Sequence, residues 1–273
     1  MVLVETNKWL DQYTQKKGSS FKKNILIQRT LLCEPLTDFF NDATAEEIHM
    51  HLLNHGLFIP DPLDKQVIKE IIDKDFWQLA NQEINQLQND WNGPDVPVFI
   101  FPSNYTNKLL IREFNGLAGL SYQDKIFLFV TNHTNDDELQ SLITHEYNHA
   151  CRLSLSSKSE EELNLLDGLV LEGLAEFAVK QRLGDKNLTK WTNIYSKQVI
   201  NTHWEKWIKP NLTIKKMEKK HDQLMYGLEE IPKWLGYSFG FQLVSSFFEH
   251  ENTTMYESLR LPSSAILEGS DFH

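Results

Sequence analysis

Cysteine is almost missing. Cys33 and Cys151 are the only two in 273 residues, which excludes a disulfide-stapled scaffold and a cysteine-ligated structural zinc cluster. Both thiols are expected to be reduced and buried. Long apolar runs are missing too. No stretch approaches the roughly 20 residues that a membrane-spanning helix needs, so no membrane partner is expected. Positive charge is in short supply: 27 Lys and Arg stand against 38 Asp and Glu, a formal net charge of −11. That balance argues against nucleic acid or anionic lipid as a main partner. The opening MVLVETNKWL is polar by its fifth residue and lacks the basic-then-apolar order of an export signal. A cytoplasmic protein is expected, in which Asn-x-Thr triplets such as Asn104 to Thr106 read as chance.

What is present is helix, then a little strand, then helix. Residues 1–92 read as helical. Thr44 and Glu47 make a capping box ahead of IHMHLL, and Gly56 stops that helix. The segment from Asp64 to Trp91 reads as one long amphipathic helix without a breaker. NGPDVP, from Asn92, is the clearest punctuation, and the boundary between an N-terminal helical region (1–92) and a second domain (93–273) is placed there. Three strands are expected: VPVFIF from Val96, KLLIREF from Lys108, and KIFLFV from Lys125. The last is apolar on both faces and so covered on both sides. NGLAGLSYQD, between the last two, reads as a turn region or as a strand edge open to an extended peptide. Thr134 to Glu138 suit the first turn of the next helix. Ser159 and Glu162 form a second capping box, opening a helix that Gly184 ends, and a further apolar helix follows from Ile231. The expected class is α+β, with a small mixed sheet between helical regions.

Chemistry concentrates in SLITHEYNHACRLSL, Ser141 to Leu155. Four-residue spacing puts His145 and His149 on one helical face, where two imidazoles can point at one cation. Glu146 is turned about 100° from His145, so its carboxylate can take a proton from water activated at the cation without being a ligand. The bland alternative is a pair of histidines on a half-buried face that merely hydrogen-bond. A catalytic zinc needs three protein ligands and an open fourth position. Cys151 leaves the helix on another side and does not supply the third. LEGLAEFA does: Glu172 and Glu176 lie one turn apart amid Leu171, Leu174, Ala175, Phe177 and Ala178, where unpaired carboxylates would be costly. Glu172 is assigned as third ligand, and Glu176 as the carboxylate that accepts a hydrogen bond from the outer nitrogen of His145 or His149. Zinc is the expected ion from the ligand types.

H-E-Y-N-H followed on a separate helix by E-G-L-A-E resembles the gluzincin class of zinc peptidases, in which a glutamate on the next helix completes the site. A nearer resemblance is to the YjaZ-like proteins, a family of predicted bacterial zinc-dependent proteases. It is carried by N-G-L-A-G-L-S, the H-E-Y-x-H helix, E-G-L-A-E and a later G-Y-x-x-G, over about residues 95–250. The resemblance implies a gluzincin-like helical domain, zinc on His145, His149 and Glu172, Glu146 as general base, and a peptide or protein as substrate. The glycine-rich substrate motif of the exopeptidase branch is not found, which puts aminopeptidase activity in doubt.

Tyr237 in LGYSFG is the candidate oxyanion donor, since the class often has such a tyrosine on a later helix; Tyr226 is its rival. Asp167 reads as structural, Arg152 as paired with a nearby carboxylate, and His133 and His221 as solvent-facing. The competing functional class is a catalytically silent zinc protein that binds peptide or regulates a partner. The intact Glu146 argues against it, because binding alone does not require that carboxylate.

Overall fold

The computed structural model describes residues 3–273, and the chain divides into two compact units. The first reaches to Asn89 and resumes at Gly93–Ala150; the second takes residues 90–92 and Cys151–His273. Helices dominate, with one three-stranded mixed sheet, so the α+β class holds.

The first unit opens with α1 (Thr6–Lys16), α2 (Phe21–Gln28), α3 (Ala45–His55), α4 (Asp64–Asp73) and most of α5 (Phe76–Trp91). Thr44 and Glu47 exchange capping bonds at the start of α3, and Gly56 ends it at φ 127°. The stretch from Asp64 is two helices, not one. Asp75 takes φ 51° between them, a conformation that short polar residues tolerate, and the redirected chain buries both Phe76 and Trp77.

The sheet follows. Strand β1 (Val98–Pro102), helix α6 (Lys108–Phe114), strands β2 (Ala118–Ser121) and β3 (Ile126–Val130), and helix α7 (Asp136–Leu155) complete this part of the chain. The last five residues of α7 count with the second unit. β3 is central, parallel to β1 and antiparallel to β2. Every residue of β1 and β3 is buried, as the two apolar faces of KIFLFV require. Phe99 of β1 stacks on Phe127 of β3 with centroids 4.8 Å apart. Thr6 Oγ1 donates to the Ile100 carbonyl at 2.6 Å and fastens α1 to β1.

One expected strand is misplaced. KLLIREF is helix α6, with Asn107 Oδ1 accepting from the N–H groups of Leu109 and Leu110. Asn115 and Gly116, both at positive φ, end it. The third strand lies instead in the glycine-bearing stretch, as Ala118–Ser121.

The second unit contains α8 (Leu165–Leu183), α9 (Lys197–His203), α10 (Lys219–Tyr226), α11 (Leu235–His250), α12 (Met255–Ser258) and α13 (Ser263–Glu268). α8 starts later than Ser159 predicts. The Ser159–Glu162 bond forms, at 2.8 Å, but only as a turn. Asn164 and Asp167 make the working capping box. Asp167 also holds Lys158 at 2.7 Å and accepts from Ser263, so its structural role stands. Arg152 lies nearby, donating to the Ser258, Leu259 and Leu261 carbonyls and to Ser263. Burial pulls its guanidinium down to about 10 against the opposing charge of Asp167. His221 is not solvent-facing: it is 6% exposed, packed against Gly168, with Nδ1 3.2 Å from the Asp222 carboxylate. Its spacing on α10 turns it inward beside Leu224 and Met225. Cys33 and Cys151 form no disulfide and are buried, as expected. Among the described residues no helix is long and apolar enough to cross a membrane.

α8 and α11 cross at glycine. A methyl group on Gly173 would overlap the Gly240 carbonyl, and one on Gly240 would overlap the Leu169 carbonyl. Small residues let two helix backbones approach this closely, and backbone atoms cannot step aside. Gly240→Ala is therefore expected to destabilise by about 2 kcal/mol, in the range of overpacked cores, read as a lower urea midpoint with an unchanged slope. An unchanged midpoint would contradict this crossing.

Candidate metal centre

α7 begins with a reciprocal cap. Asn135 Oδ1 accepts from the Glu138 N–H and Glu138 Oε2 from the Asn135 N–H, both at 3.0 Å, while Asp136 and Asp137 add negative charge to the helix start. Leu139, Ile143, Tyr147 and Ala150 turn one stripe into the core, and the Tyr147 hydroxyl donates to the Pro94 carbonyl at 2.9 Å. This fixes the rotation of the helix about its axis. His145 and His149 then fall one above the other, with ring centroids 4.6 Å apart and planes at 84°.

Glu146 meets the edge of the sheet and is 7% exposed. Alternation along β2 places Gly119 and Ser121 on one face, and that face meets Glu146. Ser121 Oγ lies 2.6 Å from Glu146 Oε2 and 2.9 Å from the Glu146 carbonyl. A methyl group at Gly119 would overlap the carboxylate. In the sequence both fall within N-G-L-A-G-L-S, a turn region or a strand edge open to an extended peptide, and nothing there ties either residue to Glu146. The available signal is the alternation of small residues at 119 and 121 within A-G-L-S, which reads as turn when its strand is not recognised.

On α8 the crossing at Gly173 sets the position of its neighbour Glu172. One ligand atom each from His145, His149 and Glu172 lies within 4.8 Å of the others, a group able to hold a metal ion. Two imidazole nitrogens and one carboxylate oxygen are the donor set of an open, catalytic type of zinc centre. His145 and Glu172 are half-buried and His149 is buried. The donor chemistry therefore fits the expected ion.

Glu176 is buried at 1% exposure. Its Oε1 accepts from the Thr189 N–H at 2.6 Å and the Thr189 hydroxyl at 2.8 Å, holding the loop after α8. Tyr237, in the first turn of α11, packs edge-on against Trp191 and Trp234 and lies 5.5 Å from Tyr226 between centroids. Desolvation raises the Tyr226 phenol above its ordinary value, a hydrogen bond with Tyr237 offsets part of this, and the charges of Glu172 and Asp222 add to it. Both candidate tyrosines thus belong to one aromatic group, and Tyr226 lies within electrostatic range of Glu172.

Comparison with known proteins agrees with this chemistry. Residues 76–268 match the family described as "Predicted Zn-dependent protease (DUF2268)". The chain is 34% identical over 218 residues to the uncharacterized protein YjaZ of Bacillus subtilis (strain 168), covering 80% of this chain and 84% of that protein. It is 24% identical over 176 residues to the uncharacterized protein YjfC of the same organism, covering 59% and 56%. No solved structure matches significantly.

Elemental analysis of the purified protein is expected to give about one zinc per chain, removable by chelator, as an open three-ligand centre implies. His149→Ala and Glu172→Ala should each weaken zinc binding by at least about 100-fold, more than loss of an outer-shell partner would. Full occupancy in both variants at equal affinity would exclude this ligand set.

Proposed function

The chain belongs to the family of predicted Zn-dependent proteases, and from that premise we propose that it is a gluzincin-type peptidase acting on peptides or proteins in the cytoplasm. The observation that carries this reading is the convergence of His145, His149 and Glu172, with Glu146 next in sequence to the first ligand. His145, His149 and Glu172 would hold the ion. Zinc, when bound, would polarise the scissile carbonyl and make water a better nucleophile at neutral pH.

The chain's own residues do the rest. Glu146 takes the proton of the attacking water and delivers it to the leaving amine. Its burial keeps the carboxylate from wandering into solvent. The oxyanion formed on the carbonyl needs a donor. The hydroxyls of Tyr226 and Tyr237 are hydrogen-bonded to each other, and one of the two would turn to the oxyanion when substrate binds, with Tyr237 as the first candidate and Tyr226 as its rival. Glu176 would steady a ligand imidazole through its outer nitrogen. A pure peptide-binding role leaves the buried general base without a purpose.

Glu146→Gln should retain zinc and lower kcat by about 100- to 10,000-fold, the range for loss of a general base, on casein or a peptide library. Chelation should abolish cleavage and zinc should restore it. Cleavage at the wild-type rate by the metal-free protein or by Glu146→Gln would refute the reading, and zinc binding with no wild-type cleavage would favour the regulatory alternative.

A further inference from the structure

We propose that Ser121, with the space left by Gly119, is the positioning element for Glu146: the edge of the sheet, and not the helix alone, aims the general base. This deepens the peptidase reading and rests on it.

Helix geometry fixes where the Cβ of Glu146 starts but leaves three side-chain torsions open, two with several staggered choices and the third, at the carboxylate, broad. A base must sit within hydrogen-bond reach of the water it deprotonates, and misplacement by about 1 Å costs on the order of 100-fold. Something must therefore choose among those rotamers. β2 does so in two ways. Ser121 Oγ meets Glu146 Oε2 at 2.6 Å, the length of a hydroxyl donating to a charged carboxylate. The same hydroxyl lies 2.9 Å from the Glu146 carbonyl, so both ends of the residue are referred to one atom of the strand. Gly119, two residues earlier on the same strand face, leaves the volume into which the carboxylate folds; a side chain there would overlap Cδ, Cγ and Oε1 of Glu146.

Among the described residues Ser121 is the one side chain hydrogen-bonded to this carboxylate. One oxygen is thereby occupied and the other is left to act on water. The register of β2 is itself pinned, because Gly119 pairs with Leu128 and Ser121 with Ile126 of the fully buried β3. A one-residue slip would turn Ala118 and Leu120 toward Glu146. On the far face, Ala118 abuts Gly56 at the end of α3. The strand is thus clamped between that helix end and the base, and the alternation Ala-Gly-Leu-Ser divides the two duties between its faces.

The experiment combines kinetics with a stability cycle on zinc-loaded, full-length protein. Ser121→Ala should lower kcat about 10- to 100-fold, the worth of a hydrogen bond to a charged group, with KM and zinc content within about two-fold. Ser121→Thr, which keeps the hydroxyl, should return most of the rate. A residue that merely stabilised the strand would not separate kcat from KM or be rescued in this way. Independently of activity, Gly119→Ala should lower Tm by at least about 3 °C in wild type and by far less in Glu146→Ala, where the overlapping carboxylate is gone. If Ser121→Ala leaves kcat unchanged while Glu146→Gln abolishes cleavage, the positioning role is overturned and the peptidase reading survives. If wild type cleaves nothing, the peptidase reading fails, and the cycle alone decides the contact: equal Tm losses in both backgrounds overturn it, and a loss confined to wild type upholds it.

Discussion

A carboxylate withdrawn from water must be met by a donor or a cation, and this fold withdraws several. Asp64 is answered by Lys17 and by the Tyr13 hydroxyl at 2.8 Å. Asp167 is answered by Lys158, Ser263 and the Asn164 N–H. Glu176 takes two bonds from Thr189, and Glu146 takes one from Ser121. Leaving any of these unmet would cost several kcal/mol, so each pair constrains two pieces of chain at once. Glu172 differs in kind. The groups drawn together around it include two imidazoles, which are neutral metal donors, and the economical partner for that set is a divalent cation.

Each unit sets a stiff part beside its candidate site residues. In the first, β1 and β3 are buried on both faces and supply rigidity, while β2 at the edge carries the small residues that meet Glu146. In the second, α8 and α11 cross at glycine and supply rigidity, while Glu172 and Tyr237 sit one residue before Gly173 and after Gly236. Glu172 and Tyr237 are thus neighbours in sequence of positions where a side chain would overlap facing backbone.

Much of this was legible in sequence, and the reasons for the rest are local. The motif helix, its opening residues, the capping box at Thr44 and the stop at Gly184 carry short-range signals that the structure honours. The paired histidines and Glu172 were legible because helical periodicity and ligand chemistry agree. The break at Asp75 was not, since nothing in K-D-F distinguishes a left-handed aspartate from a helical one. The exchange of strand and helix around α6 arose because Leu-Leu-Ile reads as strand text, whereas Asn107 before it and Asn-Gly after it bound a short helix. β2 is only four residues long and contains one strongly apolar side chain. Its strand character comes from pairing with β3, a tertiary effect that no local window contains. His221 looked isolated because its burial depends on a glycine more than fifty positions away, Gly168.

The glycine crossing of α8 and α11 has a bearing on how this protein tolerates change. Gly173 and Gly240 carry no functional group, yet Gly173 adjoins Glu172 and Gly240 lies on the helix of Tyr237. Random mutagenesis scored by loss of function would therefore return inert positions alongside chemical ones. The two classes would separate by what is lost: a side chain at either glycine meets a facing backbone carbonyl and unsettles the packing of two helices, whereas loss of an imidazole leaves that packing in place.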